Sequence, residues 1–468
     1  MIKGGLAVRL QVGAWLRMLP LRKKIGYAMG RFPSFLMTFI TLTSFYIYGH
    51  RFELNWLLTG ISLSASYVVI GLTHWFTGYY SDSLKTRWGR RRPFVVLGTP
   101  ALIVSGFLLF VPNWFLDIAD PATETLVFVY YLTTLCLFKF SYAFLMTAYQ
   151  AWLPEITDEN ERPLVSSMQN TVNWFADSSG AVLGVMSALL FLQVPPYTLT
   201  SDGVTILAAF CLVTLVFSLP SILFIREKPD IIIPARKLRE ETSVVLHNRT
   251  YVGWILAVGF LSFTFSAFTS QIVGFLEQVL NLTTIESLIP AALAMLGSVF
   301  VFLYLWITAI RRIGKRKSLI AGLILLAVML PLTPFLRDIG GIIGYTVVAI
   351  MFFVPFGAGM AIYYLMSYIV PADIAQVDEI VSGESRSGMY TGFLGVPLNM
   401  FQAASALVLG WLMDYSEVMT GGELWGLMWW GPVFAPTLLI AALVLHYIDI
   451  DPDFDSLRAQ TKTSENER

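Results

Sequence analysis

The chain has 468 residues, of which 56% are hydrophobic and only 13% charged. A water-soluble domain carries roughly 25% charged residues, so this balance excludes a soluble fold and describes an integral membrane protein. The 31 Lys and Arg equal the 31 Asp and Glu, and the placement of the basic residues is explained by membrane topology, without nucleic acid.

A bilayer core of roughly 30 Å needs about 20 apolar residues per helix. Twelve stretches meet this, at 30–48, 56–80, 93–111, 126–150, 164–192, 204–225, 250–276, 288–310, 318–336, 342–369, 388–413 and 426–447. They are far longer than the roughly ten-residue alternating strands of a membrane barrel. The predicted class is therefore an all-α membrane protein with twelve transmembrane helices in two six-helix halves. The chain opens with a basic, Trp-containing stretch and no small-residue cleavage site, so the first span is expected to stay in the mature protein. Cys136 and Cys211 both fall in apolar spans, where a cysteine acts as a small hydrophobe.

Counted against these spans, one face carries 27 of the Lys and Arg and the other carries Arg51 and Arg337, while Arg31 and Lys139 fall inside spans. The basic face holds both termini and is expected to be cytoplasmic, in a plasma or inner membrane. The organisation read from this is an N-terminal segment 1–29, a first half 30–225, a linker 226–249, a second half 250–447 and a polar tail 448–468. Leu153-Pro154-Glu155-Ile156 recurs loosely as Val370-Pro371-Ala372-Asp373-Ile374, and Gly89-Arg90-Arg91 as Gly314-Lys315-Arg316. Matches at equivalent topological positions are what parallel repeats require.

Between the second and third spans, Gly78 stands four residues before Asp82, and Lys85, Arg87, Gly89, Arg90, Arg91, Arg92 and Pro93 follow. This pattern resembles the corresponding loop of major facilitator transporters, in particular the glycoside-pentoside-hexuronide cation symporters and the related sucrose-proton symporters. Tyr149 to Arg162, with Pro154-Glu155 and the acidic run to Glu161, is similar to that family's loop after the fourth span. Asp373, Asp378-Glu379, Gly383-Glu384, Arg386, Gly388 and Tyr390 resemble its acidic, Gly-rich stretch before the eleventh. The resemblance implies a major facilitator fold, alternating access and a small polyhydroxylated solute.

The loop residues have a physical reading as well. Gly78 allows close backbone approach, Asp82 complements a helix N-terminus, and Arg90, Arg91 and Arg92 suit carboxylates such as Glu155 or Asp158. Together with Arg87, Gly89 and Arg162 they form an expected cytoplasmic gate; the competing reading is that the arginines only enforce topology.

Ionisable groups inside spans are costly and mark functional candidates. Lys139 lies 15 residues before Pro154 and Asp177 lies 15 after Arg162, so both sit about 22 Å along antiparallel helices at 1.5 Å per residue. Pairing with each other, or with substrate or proton, is expected, in either a static or a transport role. Gln169, Asn170, Asn173, Asp177, Gly180, Ala181 and Gly184 share one helical face. That stripe is too polar for lipid and is expected to line a cavity, its small residues leaving room for substrate. Gln150, Gln271, Asn399 and Gln402 are further amides inside spans, suited to substrate or to interhelical hydrogen bonds. Trp152 and Trp174 suit sugar stacking or packing. Pro355, Gly357 and Gly359 suit a flexible gate or a packing kink.

Ile70 and His74 stand where sodium-coupled members of the resembled family have carboxylates, and Met146 and Asn170 replace further site residues. That departure favours protons over sodium. His74 is suited to relaying a proton, or to a neutral hydrogen bond with a neighbouring helix. Arg31, near the start of the first span, is expected to snorkel to the cytoplasmic interface. The function expected is proton-coupled symport of a sugar or glycoside, with no cofactor and no metal; substrate contacts fall to Lys139, Gln150, Asn170, Asn173, Asp177, Gln271, Asn399 and Gln402, and coupling to Asp177, Lys139 and His74. Two alternatives stand: an amphiphile such as a lysolipid, favoured by the apolar face of Phe260, Phe263, Phe265 and Phe268, and a non-transport assembly or pigment-handling role. With no metal-ligand cluster and no nucleotide-binding glycine loop, the sequence offers no enzyme chemistry.

Overall fold

The computed structural model describes residues 19–457 apart from 85, 158–160, 191–200, 226–237, 384–389, 391–392 and 455. The described residues form helices and no strand. In lipid the backbone must satisfy its own hydrogen bonds, and long apolar runs can do so only as helices. Nine helices among the described residues have the length and hydropathy of a membrane crossing. The remaining three expected spans fall on Pro33–Tyr46, with 14 residues, on Arg92–Leu108, with 17, and on Arg162–Leu190, which is long enough but more polar.

Packing gathers the described residues into two compact units, one within 1–41, 72–187 and 198–235, the other within 42–71, 188–197 and 236–468. Residues 42–71, which the repeat reading counts in the first half, thus pack in the second unit. Repeat membership and packing membership divide this chain differently.

The first unit begins with α1 (Leu21–Met29), which passes into α2 (Pro33–Tyr46) through three tight turns, Gly30 N to Tyr27 O, Arg31 N to Ala28 O and Phe32 N to Met29 O. Its other helices are the end of α3 (Trp56–Ser83), α4 (Arg92–Leu108), α5 (Glu124–Gln150), the short α6 (Leu153–Ile156), α7 (Arg162–Leu190) and α8 (Ser201–Phe224). α4 packs on α5 and α8, and α1 packs on α8. Pro93 sits in the first turn of α4, where a missing N–H costs no hydrogen bond. Gly180 and Gly184 of α7 are filled rather than vacant. A Cβ on Gly180 would stand 3.1 Å from the Phe35 carbonyl carbon, and one on Gly184 2.8 Å from the Phe39 ring. The expected room for substrate at these glycines is occupied by α2.

The second unit comprises the end of α2, most of α3, α9 (Leu238–His247), α10 (Arg249–Gly274), α11 (Ile285–Ile313), α12 (Lys315–Met329), α13 (Leu336–Ile343), α14 (Tyr345–Ser382), α15 (Gly395–Thr420) and α16 (Leu424–Tyr447). α14 packs on α11 and α12, while α10 packs on α15 and α16. Although α14 contains Pro355 and Pro371, it runs 38 residues without interruption. Gly357 and Gly359 admit Ser298 of α11 and Leu326 of α12, so the packing reading of these glycines holds.

α2 and α10 end alike. Each closes in a π turn, Ile47–Arg51 and Phe275–Val279, and each turn is followed by a non-glycine residue at positive φ, Glu53 at 50° and Asn281 at 47°. The closing hydrogen bonds correspond residue for residue: Phe52 N to Ile47 O with Leu280 N to Phe275 O, and Leu54 N to Tyr48 O with Leu282 N to Leu276 O. This backbone match reinforces the internal repeat where the side chains no longer agree.

Around these two turns the second unit builds a dense polar cluster. Glu277 accepts from Arg51 Nη2 at 2.8 Å and from the Tyr46 hydroxyl at 2.9 Å, and Gln278 donates to Tyr46 at 3.0 Å. Gln278 also donates to Glu423, whose other contact is an ion pair with His50. Burial pushes the Glu423 carboxyl upward, but the His50 imidazole and Gln278 amide more than offset this and hold it down at about 2. Nearby, Gly60 of α3 and Gly410 of α15 meet main chain to main chain: a Cβ on either would lie 2.8 Å from the other's Cα.

Candidate functional site

Arg31, Ser34, Thr38 and Thr41 recur every three to four residues and therefore share one face leading into α2. Within the first unit this face meets α7. Arg31 Nε donates to Asn173 Oδ1 at 2.6 Å, Asn173 Nδ2 donates to Asp177 Oδ2 at 2.9 Å, and Thr38 Oγ1 donates to Asp177 Oδ1 at 3.0 Å. The Asn173 amide thus turns its oxygen to the cation and its NH₂ to the carboxylate. The result is a continuous chain, Arg31–Asn173–Asp177–Thr38, that ties the entry of α2 to α7. Asn173 lies about 16 Å along α7 from Arg162 at 1.5 Å per residue. Arg31 therefore turns inward to α7 instead of snorkelling to the interface.

Lys139 is fully buried and donates to Thr41 Oγ1 at 2.9 Å. The expected Lys139–Asp177 ion pair is not made. Depth alone predicted the pair, but each side chain takes a different hydroxyl of the α2 face, Thr41 for the lysine and Thr38 for the aspartate. His74 Nδ1 shares a 2.7 Å hydrogen bond with Thr147 Oγ1 of α5, the neighbouring-helix arrangement.

Three buried donors beside the chain close no hydrogen bond among the described residues: the Tyr27 hydroxyl, Arg31 Nη1 and Ser34 Oγ. The Tyr27 ring stacks on Tyr149 at 4.7 Å, and Ser34 is near Asp177 but outside hydrogen-bond geometry. One to three turns before Asp177, an open cavity of about 540 Å³ is lined by Ser166, Ser167, Asn170, Thr171 and Trp174. That volume suits a small-molecule solute, for which sites run about 300–1,000 Å³. Asn170 and Trp174 of the expected set therefore line a cavity, and Asn173 and Asp177 lie on the same helix beyond it.

Gln150 is exposed at the end of α5. In the second unit Asn399 donates back to Gly395 O at 2.7 Å, Gln402 is half-buried, and Gln271 is buried with neither amide atom hydrogen-bonded among the described residues. The phenylalanine face offered for an amphiphile is filled by protein: Phe268 packs on Phe356 at 4.3 Å, Phe263 on Phe434 at 5.1 Å and Phe260 on Phe401 at 5.2 Å.

Of the expected gate, Gly78 lies in α3, Arg87 is exposed, Gly89 adopts φ 109°, and Arg90 is half-buried. Arg91 is 4% exposed, and Arg92 Nη2 donates to the Ile222 carbonyl at 3.1 Å. Arg162 opens α7. The side chains of Asp82 and Glu155, and all of Asp158, lie outside the described residues. The ion pair that is visible here was not foreseen: Glu161 pairs with Lys24 Nζ at 2.6 Å and accepts from the Leu19 amide at 2.9 Å. Burial raises the Glu161 carboxyl, and these two donors outweigh it, leaving it below its ordinary range. The second unit has a similar bond, Lys315 Nζ to Asp373 at 2.7 Å, while Asp451 accepts from the Lys315 and Arg316 amides at the α12 N-terminus.

No curated protein matches the sequence. Among solved structures, the nucleoside transporter NupG superimposes with a TM-score of 0.60 at 13% identity, covering 90% of this chain and 98% of its own. A bacterial homolog of the human lysosomal transporter Spinster gives 0.63 at 12% identity over 95% and 97%. A D-xylose-proton symporter gives 0.63 at 12% identity over 92% and 96%. At such identities the likeness is one of fold. The family profile described as MFS/sugar transport protein matches residues 26–449, so this chain belongs to that family and is a multi-pass membrane transporter.

Proposed function

We propose that the protein is a proton-coupled symporter of a sugar-like solute, working by alternating access, with its basic face in the cytoplasm of a plasma or inner membrane. The observation that carries this is the Arg31–Asn173–Asp177–Thr38 chain between the entry of α2 and α7, close to the open cavity on α7. An intramembrane carboxylate is expensive to keep charged, which suits it to accept a proton. In this reading Asp177 is the proton acceptor. Protonation weakens its hold on the Asn173 amide and the Thr38 hydroxyl, and Asn173 and Arg31 then turn to the solute. Lys139 bonds Thr41 in the resting arrangement and so does not gate Asp177 directly. In this reading His74, hydrogen-bonded to Thr147, serves as an accessory relay.

The test is proteoliposomes loaded with a pH-sensitive dye and challenged with a panel of glycosides, in the presence and absence of sodium. Solute-driven acidification independent of sodium, and lost in Asp177→Asn, is the expected result. Acidification retained in Asp177→Asn overturns the assignment of Asp177, and silence across the panel in folded protein overturns proton-coupled sugar transport.

A further inference from the structure

The start of α2 and the end of α3 pack in the first unit, whereas residues 42–71 pack in the second. At the tip of that hairpin three acids of the second repeat half meet donors of the first. Glu277 of the second π turn meets Arg51 Nη2 at 2.8 Å, Asp414 of α15 meets Asn55 Nδ2 at 2.6 Å, and Glu423, just ahead of α16, meets the His50 imidazole. Further along the hairpin the contacts change character: Gly60 lies against Gly410, and Ser266 Oγ of α10 donates to the Tyr67 hydroxyl at 3.2 Å. Charged groups thus join α2 and α3 to α10, α15 and α16 at the tip, and uncharged ones join them further in.

The three donors answer differently to pH. A guanidinium stays charged and an amide stays neutral, whereas an imidazole ordinarily changes its charge between about pH 5 and 8. The His50 side chain is 26% exposed, so protons of the surrounding water reach it. Its partner is constant, because Glu423 is held down at about 2 and stays ionised. The other titratable groups of the tip are Tyr46, whose ring stacks on the imidazole at 4.8 Å, Glu53 on the same segment and Glu417 on α15. With His50 protonated, its contact with Glu423 is an ion pair. With His50 neutral, the same contact is a weaker hydrogen bond, and the acids of the tip keep Arg51 as their cation. A histidine that meets an anion in one arrangement stabilises that arrangement below its titration, and ceases to do so as pH rises through it.

We propose that the tip of α2 and α3 is a lock on the face opposite the chain termini and that His50 sets its strength: acid on that face holds the tip against α10, α15 and α16, and rising pH lets it part. This rests on the alternating-access part of the function proposed above and adds to it a residue that senses protons without touching the solute. Asp177 remains the proton acceptor of transport. An acid medium on that face then closes the lock behind a solute and proton that have entered from it.

The test reads the separation of α3 and α15 directly. Spin labels are placed at Leu57→Cys and Val418→Cys, both exposed, in full-length protein carrying Cys136→Ala and Cys211→Ala, and dipolar electron spin resonance is recorded in lipid nanodiscs. One short-distance population is expected near pH 5, with a longer one growing at least about threefold by about pH 8. His50→Gln should show the longer population at every pH, and His50→Lys, which keeps a charge throughout, the short one at every pH; size-exclusion profiles show which variants are folded. Should His50→Gln not fold, the pH response of His50→Lys alone decides. A distance distribution that ignores pH overturns the lock, as does a pH response that survives in either His50 variant. A response lost in Asp177→Asn overturns it too, because the sensing would then belong to Asp177. Dye-loaded proteoliposomes separate this from the broader reading. A longer population that appears without pH dependence removes the lock and leaves alternating access standing. A His50-dependent response in protein that shows no solute-driven acidification upholds the lock and removes sugar symport.

Discussion

Two polar clusters in this molecule are built from similar side chains and differ in whether their hydrogen bonds are complete. In the second unit, Tyr46, Arg51, Glu277, Gln278, His50 and Glu423 share their donors and acceptors among themselves, two acids against one arginine and one histidine. In the first unit, the Arg31–Asn173–Asp177–Thr38 chain leaves Nη1 of its arginine and two neighbouring hydroxyls without a hydrogen bond among the described residues. A fully satisfied buried network rigidifies and specifies a fold, whereas a partly satisfied one stores unfavourable free energy that a ligand can relieve. Under the function proposed above, the first kind serves stability and the second serves binding.

That contrast can be broken most forcefully at Glu277. Glu277→Ala removes the acceptor of both Arg51 and Tyr46 and should cost about 3 kcal/mol of unfolding free energy, because it leaves a partly buried arginine uncompensated; a change near zero in denaturant unfolding would mean the cluster is ornamental. Asn173→Ala should invert the pattern. It severs the link between Arg31 and Asp177 and should lower solute-driven uptake at least tenfold, while the unfolding midpoint falls much less than in Glu277→Ala. Equal losses of stability in both variants would erase the distinction drawn here.

A smaller effect comes from pH. Glu423 is held at about 2 in the folded protein, below the roughly 4.3 of a free glutamate. Its contribution is therefore complete above about pH 5 and is lost as pH falls from there toward about 2. Glu423→Gln should cost about 1 kcal/mol at neutral pH and flatten stability across that acid window; an unchanged acid profile would mean another group controls it. The least effect is expected from Thr147→Val, which deletes only the His74 partner. It should change uptake less than threefold, and a larger loss would promote His74 from accessory to essential.

The helices were legible because lipid leaves apolar runs little choice of structure, and α7 betrayed its polar face through Asn170, Asn173 and Asp177. Depth was legible too, but angle around the helix axis was not. Lys139 and Asp177 were matched in depth and still bond to different hydroxyls of α2. Arg31 was misplaced because its position near a predicted span end argued for the interface, yet the stripe it forms with Ser34, Thr38 and Thr41 was available as a signal of an inward face. Glu277, Gln278 and His50 were missed for a different reason. All three lie in π turns and depend on where those turns aim their side chains, which neither periodicity nor composition reveals.

Gly60 and Gly410 place bare main chain against main chain, with neither residue offering a side chain to the other. Such a joint has no teeth. Parting it there strands no rotamer and severs no hydrogen bond between the two residues, so α3 and α15 meet at a smooth bearing, clamped about one turn away where Asn55 donates to Asp414 at 2.6 Å. A methyl group on either glycine would act as a wedge driven into that bearing.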